Sequence, residues 1–116
     1  MSTRATGTLY EDIAVAFLQK QGLVLVERNF RLRDGEVDLI MREDDFIVFI
    51  EVKYRQSGAY ADILEQIRQS QLARVRRSAR LYLHLKGMPE HLTPCRFDII
   101  AITGGAENVN WIKDAF

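Results

Sequence analysis

The chain has 116 residues, with 16 Lys+Arg against 16 Asp+Glu and a formal net charge of zero. That length suits one domain with a true hydrophobic core, and 47% hydrophobic with 28% charged residues is a globular balance. Charge neutrality argues against a protein that coats nucleic acid without selectivity. The lone Cys95 excludes an intrachain disulfide and a cysteine-built zinc site; it reads as a small buried residue opening a strand. No segment reaches the roughly 20 apolar residues of a membrane span. The opening MSTRATGTLYEDIAVAF lacks the apolar run of a secretory leader. A cytoplasmic protein with no membrane contact is expected, a single domain over residues 1–116.

TGTLYEDIAVAFLQKQG reads as a helix, with Leu9, Ile13, Ala16 and Phe17 at helical spacing. Thr6 or Thr8 is a candidate N-cap and Gly22 a stop. LVLVERNFRLR reads as a strand marked by Val24, Val26 and Phe30. Two more strands follow, Glu36 to Arg42 and Phe46 to Tyr54, around a turn at Glu43-Asp44-Asp45. A long helix runs from about Asp62 to Lys86, striped by Leu64, Ile67, Leu72, Val75, Ala79, Tyr82 and Leu83 and ended by Gly87 and Pro89. CRFDIIAIT is a strand and VNWIKD a last short one. The order α-β-β-β-α-β-β predicts an α/β fold, a mixed sheet of about five strands flanked by helices.

The central hairpin, GEVDLIMREDDFIVFIEVKYR, holds Glu36, Asp38, Glu51 and Lys53 among sheet-forming residues. A two-residue turn at Asp44-Asp45 would set Asp38 opposite Glu51 and Glu36 opposite Lys53, all on one face. The other face would carry Val37, Leu39, Met41, Val48, Ile50 and Val52. Opposed carboxylates repel, and a hard divalent cation such as Mg²⁺ relieves that repulsion. Lys53 would then stabilise charge on a phosphate or orient the attacking water. A solvated face with a Glu36–Lys53 ion pair uses the same residues. Ile40, Ile47 and Phe49 on the charged face hold the two readings in balance.

An ordered set of blocks carries a resemblance along nearly the whole chain. They are Gly7 and Glu11, RNFR at 28–31, GEVDLI at 35–40, FIEVKYR at 49–55, RFDII at 96–100 and the terminal Ala115-Phe116. D…ExK across adjacent strands resembles the PD-(D/E)xK nuclease superfamily. The closer likeness is to the bacterial YraN family, described as candidate endonucleases similar to archaeal Holliday junction resolvases. The resemblance implies a restriction-endonuclease-like core and a Mg²⁺ or Mn²⁺ cofactor. It further implies Asp38, Glu51, the Val52 carbonyl and Glu11 as metal ligands and Lys53 as the catalytic lysine. Glu36 belongs to a matching block with no implied role beyond pairing with Lys53 or an arginine. One departure is RQSQ at 68–71, where Gln71 stands in place of a lysine. A DNA contact made by that lysine is therefore lost or moved to an arginine.

Between Glu65 and Glu90 there is no acid, while Arg68, Arg74, Arg76, Arg77, Arg80 and Lys86 occur. Arg74, Arg77 and Arg80 would share a helix face able to hold backbone phosphates, with Arg55 a second candidate. His84 and His91 have no ligand spacing and read as surface residues. Asp98 reads as structural, paired with an arginine, and Trp111 as core or interface. The expected function is metal-dependent cleavage of DNA, branched DNA included, by a monomer or homodimer. The alternatives are a non-catalytic nucleic-acid-binding or adaptor protein, or a structural partner whose charged face binds protein.

Overall fold

The computed structural model describes residues 3–33, 35–55, 69–104 and 108–116. Helix α1 (Thr3–Lys20) leads into β1 (Val24–Leu32), β2 (Gly35–Glu43) and β3 (Phe46–Arg55). Helix α2 (Gln69–Leu85) and a 3-10 turn (Glu90–Leu92) precede β4 (Cys95–Thr103) and β5 (Val109–Ile112). The strands form one sheet in chain order. β1, β2 and β3 are antiparallel, β4 runs parallel to β3, and β5 antiparallel to β4. A parallel neighbour requires a crossover rather than a hairpin, and α2 lies in that connection. The expected α/β order and mixed sheet are present.

Each helix covers one face. Against α1 pack Leu39, Met41, Val48, Ile50, Ile100 and Ile102, with Ala14, Val15 and Leu18 from the helix. Against α2 pack Ile40, Ile47 and Phe49, with Val75, Ala79, Tyr82 and Leu83. Strand alternation sends neighbouring residues to the two cores, so both faces of β2 and β3 are dry.

Both helices end alike. Gly22 (φ +100°) and Gly87 (φ +68°) take left-handed backbone that few L-residues tolerate. Leu23 N–H donates to Leu18 O (3.1 Å) and Gly22 N–H to Gln19 O (3.1 Å); Met88 to Leu83 (2.9 Å) and Gly87 to His84 (3.1 Å) repeat the pattern. These are Schellman caps, with the apolar residue after each glycine packed into the same core as its partner.

Several expectations need correction. Helix α1 is already formed at Thr3, so Thr6 and Thr8 lie inside it rather than at its cap. Its buried stripe is Tyr10, Ile13, Ala14, Phe17 and Leu18; Leu9 and Ala16 are exposed. Leu9 and Ala16 sit at the margin of that arc, where spacing alone does not fix the rotation. In β1, Val24 and Val26 are 50% and 44% exposed, while Leu23 and Leu25 turn inward. β1 is an edge strand, and its register shifts between Leu25 and Glu27, leaving Val26 as the extra residue of a bulge. The predicted start of the second helix, with Leu64 and Ile67, lies outside the described residues.

The β2–β3 turn has the expected two residues, with Glu43 paired to Phe46 and Asp44 at φ +52°. Pairing continues to Leu39↔Ile50 and stops there, so the expected pairs Asp38 opposite Glu51 and Glu36 opposite Lys53 do not form, and Glu36 lies opposite Arg31 of β1 instead. On its other side β2 pairs with β1 on both flanks of Asn29 and Asp38, but not at that position itself. Asn29 has φ +53°. An αL residue in a strand breaks alternation. Leu39 and its partner Arg28 therefore face α1, whereas Val37 and its partner Phe30 face α2. Val37 thus belongs to the α2 side, opposite to the face that strict alternation predicts.

Candidate active site where two strands part

Asp38 stands at the point where β2 leaves β3. Its Oδ2 accepts the Val52 N–H at 2.9 Å, a side chain closing a backbone group that the ladder no longer pairs. Glu51 is the buried charge of β3, only 6% exposed among Phe49, Val75 and the start of β2. Its Oε1 is buried with no hydrogen-bond partner among the described residues. An orphaned buried carboxylate oxygen is costly, by about 1–3 kcal/mol or more.

The electrostatics follow. Burial, then the negative charge of Asp38, pushes Glu51 up to about 8, against the opposing pull of Lys53 and the Asp38 amide. Burial, with Glu11 and Glu36 adding repulsion, pushes Asp38 up to about 6, despite the Val52 N–H and Lys53. The two carboxyls share one desolvated site, so they titrate as a pair. Lys53 is the cation that both feel.

Glu11 stands behind this pair. Its Oε1 accepts from Asn29 Nδ2 (3.1 Å) and lies 3.7 Å from Arg28. Arg28 also holds Asp12 at 2.6 Å. The first helix thereby grips the kink at Asn29 that delivers Asp38. Tyr10 and Tyr54 stack with centroids 3.6 Å apart, tying the same helix to β3 beside Lys53. Glu36 pairs with Arg31 at 3.3 Å, so its partner is an arginine.

Could these residues hold a metal? Among the described residues no group of three carboxylate, histidine or cysteine side chains forms a cage. Mg²⁺ needs none: it takes one or two carboxylates and completes its octahedron with water and substrate oxygens. Two adjoining carboxyls with raised pKa and one orphaned oxygen fit such an ion, since hard oxygen donors suit Mg²⁺ and Mn²⁺.

A cleft of about 870 Å³ opens beside Glu51, lined by Glu36, Arg31 and Arg33 on one wall and Arg74 and Arg77 of α2 on the other. Gln71 lines it too. Arg80 does not: it pairs with Glu90 at 3.3 Å and borders a separate groove. Arg55 donates to the Tyr54 carbonyl at 2.8 Å, at the exposed end of β3. Arg31 and Arg33 were not among the candidates from sequence; the alternating RLR of β1 was their only local sign.

The remaining charges are structural. Asp98 is fully buried and accepts from Arg96, from Trp111 Nε1 (2.9 Å) and from the Asp114 N–H (3.0 Å). Arg96 reaches on to Glu43 at 2.7 Å. Cys95 opens β4, and His84 and His91 are exposed, as expected.

An α/β protein with paired carboxylates where two strands part and a lysine beside them is the class this geometry defines. A family profile described as "Uncharacterised protein family UPF0102" matches residues 10–102. The chain belongs to that family. It is 42% identical to a UPF0102 protein of Colwellia psychrerythraea over 99% of this chain and 91% of the relative. A UPF0102 protein of Idiomarina loihiensis is 40% identical over the whole of both chains. One from Nitrosomonas europaea is 46% identical over 95% of this chain and 92% of its own.

Proposed function

We propose that the protein is a divalent-metal-dependent endonuclease that hydrolyses phosphodiester bonds in DNA, with branched or otherwise structured DNA as its substrate. One observation carries this reading: Asp38 and the orphaned Glu51 oxygen share a desolvated site with Lys53. A buried Glu51 beside a half-buried Asp38 is a liability for the fold, and catalysis of phosphoryl chemistry gives them a use.

The Asp38 and Glu51 carboxylates and the Val52 carbonyl would hold the ion. When bound, Mg²⁺ or Mn²⁺ would polarise the scissile phosphate and supply a nucleophile at neutral pH. Val52 N–H holds Asp38 in orientation through its 2.9 Å bond. The Lys53 ammonium stabilises negative charge that develops on the phosphate. Glu11 would keep Asn29 on Oε1 and join the ligands through its second carboxylate oxygen. A branched substrate must be cut on two strands, which two copies of the chain would supply. Helices long and apolar enough to cross a membrane are absent from the described residues.

Calorimetric titration with Mn²⁺ tests the site directly. Wild type should bind, and Asp38→Ala should lose at least tenfold in affinity, since half of the side-chain carboxylates go with it. Equal binding by both proteins would remove Asp38 from the ligand set.

A further inference from the structure

Glu51 lines a cleft that Glu36 and four arginines share, Arg31, Arg33, Arg74 and Arg77. Arg33, Arg74 and Arg77 form no ion pair among the described residues, and Arg31 is held only by exposed Glu36. Guanidinium groups left uncompensated side by side repel one another, so a cleft of this kind is made for an anion. The two walls are close because Gly35 lies directly on α2. A Cβ at Gly35 would meet Ser78 Oγ at 2.8 Å, with Arg74 O at 3.6 Å. That contact sets the β1–β2 arginines against the helical pair, which are three residues apart on one face of α2.

We infer that the cleft between the β1–β2 end and α2 is a backbone clamp for one strand of nucleic acid, in which Arg33, Arg74 and Arg77 hold phosphates flanking the bond at Asp38–Glu51. The clamp reads no sequence, because guanidinium–phosphate contacts position a strand without touching base edges. Glu36 keeps Arg31 out of this set and trims the field at the cleft mouth. The choice of nucleic acid over other polyanions rests on the nuclease reading above; the cationic cleft itself does not.

The test is fluorescence anisotropy with a fluorescein-labelled single-stranded 20-mer, titrated with the full chain in EDTA at 50–200 mM KCl. Arg33→Ala and Arg77→Ala should each weaken binding roughly tenfold, the effect of one charge-assisted hydrogen bond. Each should also reduce the slope of log Kd against log salt by about 0.7. Arg33→Lys/Arg77→Lys should keep the wild-type slope, which separates lost charge from lost folding. Arg42→Ala removes an exposed arginine outside the cleft and should change neither quantity. Wild-type affinity and slope in Arg33→Ala/Arg77→Ala, or an equal loss in Arg42→Ala, would overturn the clamp, as would a wild type that binds no strand. A chain that binds through these arginines yet cleaves nothing with metal keeps the clamp and loses the nuclease reading. A chain that cleaves while the double variant binds like wild type does the reverse.

Discussion

At the residue scale, Glu51 is a buried carboxyl with an orphaned oxygen, and its cost depends on pH. Glu51 and Asp38 are raised acids, so the folded protein keeps protons that the unfolded chain has released. Unfolding then becomes easier as pH rises, because the native state binds more protons than the unfolded one. This stability is fully present below about pH 4, the unfolded carboxylate value. It is lost as pH rises through about 6 and about 8, the two folded values. Urea melts of the metal-free protein should show a falling midpoint between pH 5 and 9, and Glu51→Gln should flatten most of it. A wild type equally stable at both ends would mean that the two acids are already neutralised by protein. Asp98 is the opposite case, a buried carboxylate surrounded by donors. Removing it leaves Arg96 with Glu43 alone and takes the acceptor from Trp111 Nε1 and the Asp114 N–H, so Asp98→Ala should cost about 3–5 kcal/mol, as when a buried pair is broken on one side. A loss under 1 kcal/mol by chemical denaturation would show that Arg96 finds water instead. Its place as a structural partner of an arginine was readable from RFDII, because an acid two residues from an arginine on a strand shares its face.

At the element scale the candidate hairpin was legible in its turn half, while the expected pairs of Asp38 with Glu51 and Glu36 with Lys53 did not form. Asp44-Asp45 fixed the turn length, and from it followed the register down to Leu39. Beyond that point the reading assumed that alternation continues. Asn29 at φ +53° breaks it, and Val37 changes core. A single αL residue in a neighbouring strand leaves almost no trace in periodicity, though Asn is among the few residues that adopt it. The packing of Gly35 on Ser78 was equally hidden, since it joins residues 43 positions apart in sequence. Gly35→Ala should force Ser78 Oγ off its 2.9 Å bond to the Arg74 carbonyl. We expect a loss of about 1–3 kcal/mol in thermal or denaturant unfolding, the usual cost of overpacking. Adding Ser78→Ala should return part of it, a non-additivity that marks direct contact. Strictly additive effects would mean that the hairpin does not press on the helix there.

At the scale of the whole molecule, two dry cores lie on either side of one sheet, and Glu51 finds an outlet among the described residues. That outlet lies where β2 turns from β3 toward β1. Helix α1 secures the kink through Glu11 and Asn29, and α2 closes over the other side with its arginines. The fold class was legible because each element carries its own period and stop signals. The cationic cleft was not, because it is assembled from strand and helix residues that no local pattern connects. The division also explains why Arg74 and Arg77 reach the site while Arg80, on the same helix, is taken by Glu90. On the proposed function, the carboxylate pair and Lys53 break phosphodiester bonds. Single-turnover nicking of a labelled four-way junction at saturating Mg²⁺ or Mn²⁺ tests it most directly. Wild type should cut, and Lys53→Ala should bind the metal but cut on the order of 10²–10³ times more slowly, as expected when one transition-state charge stabiliser is removed. A wild type that binds metal and junction yet leaves every strand intact, or a Lys53→Ala protein that cuts at the wild-type rate, would contradict it.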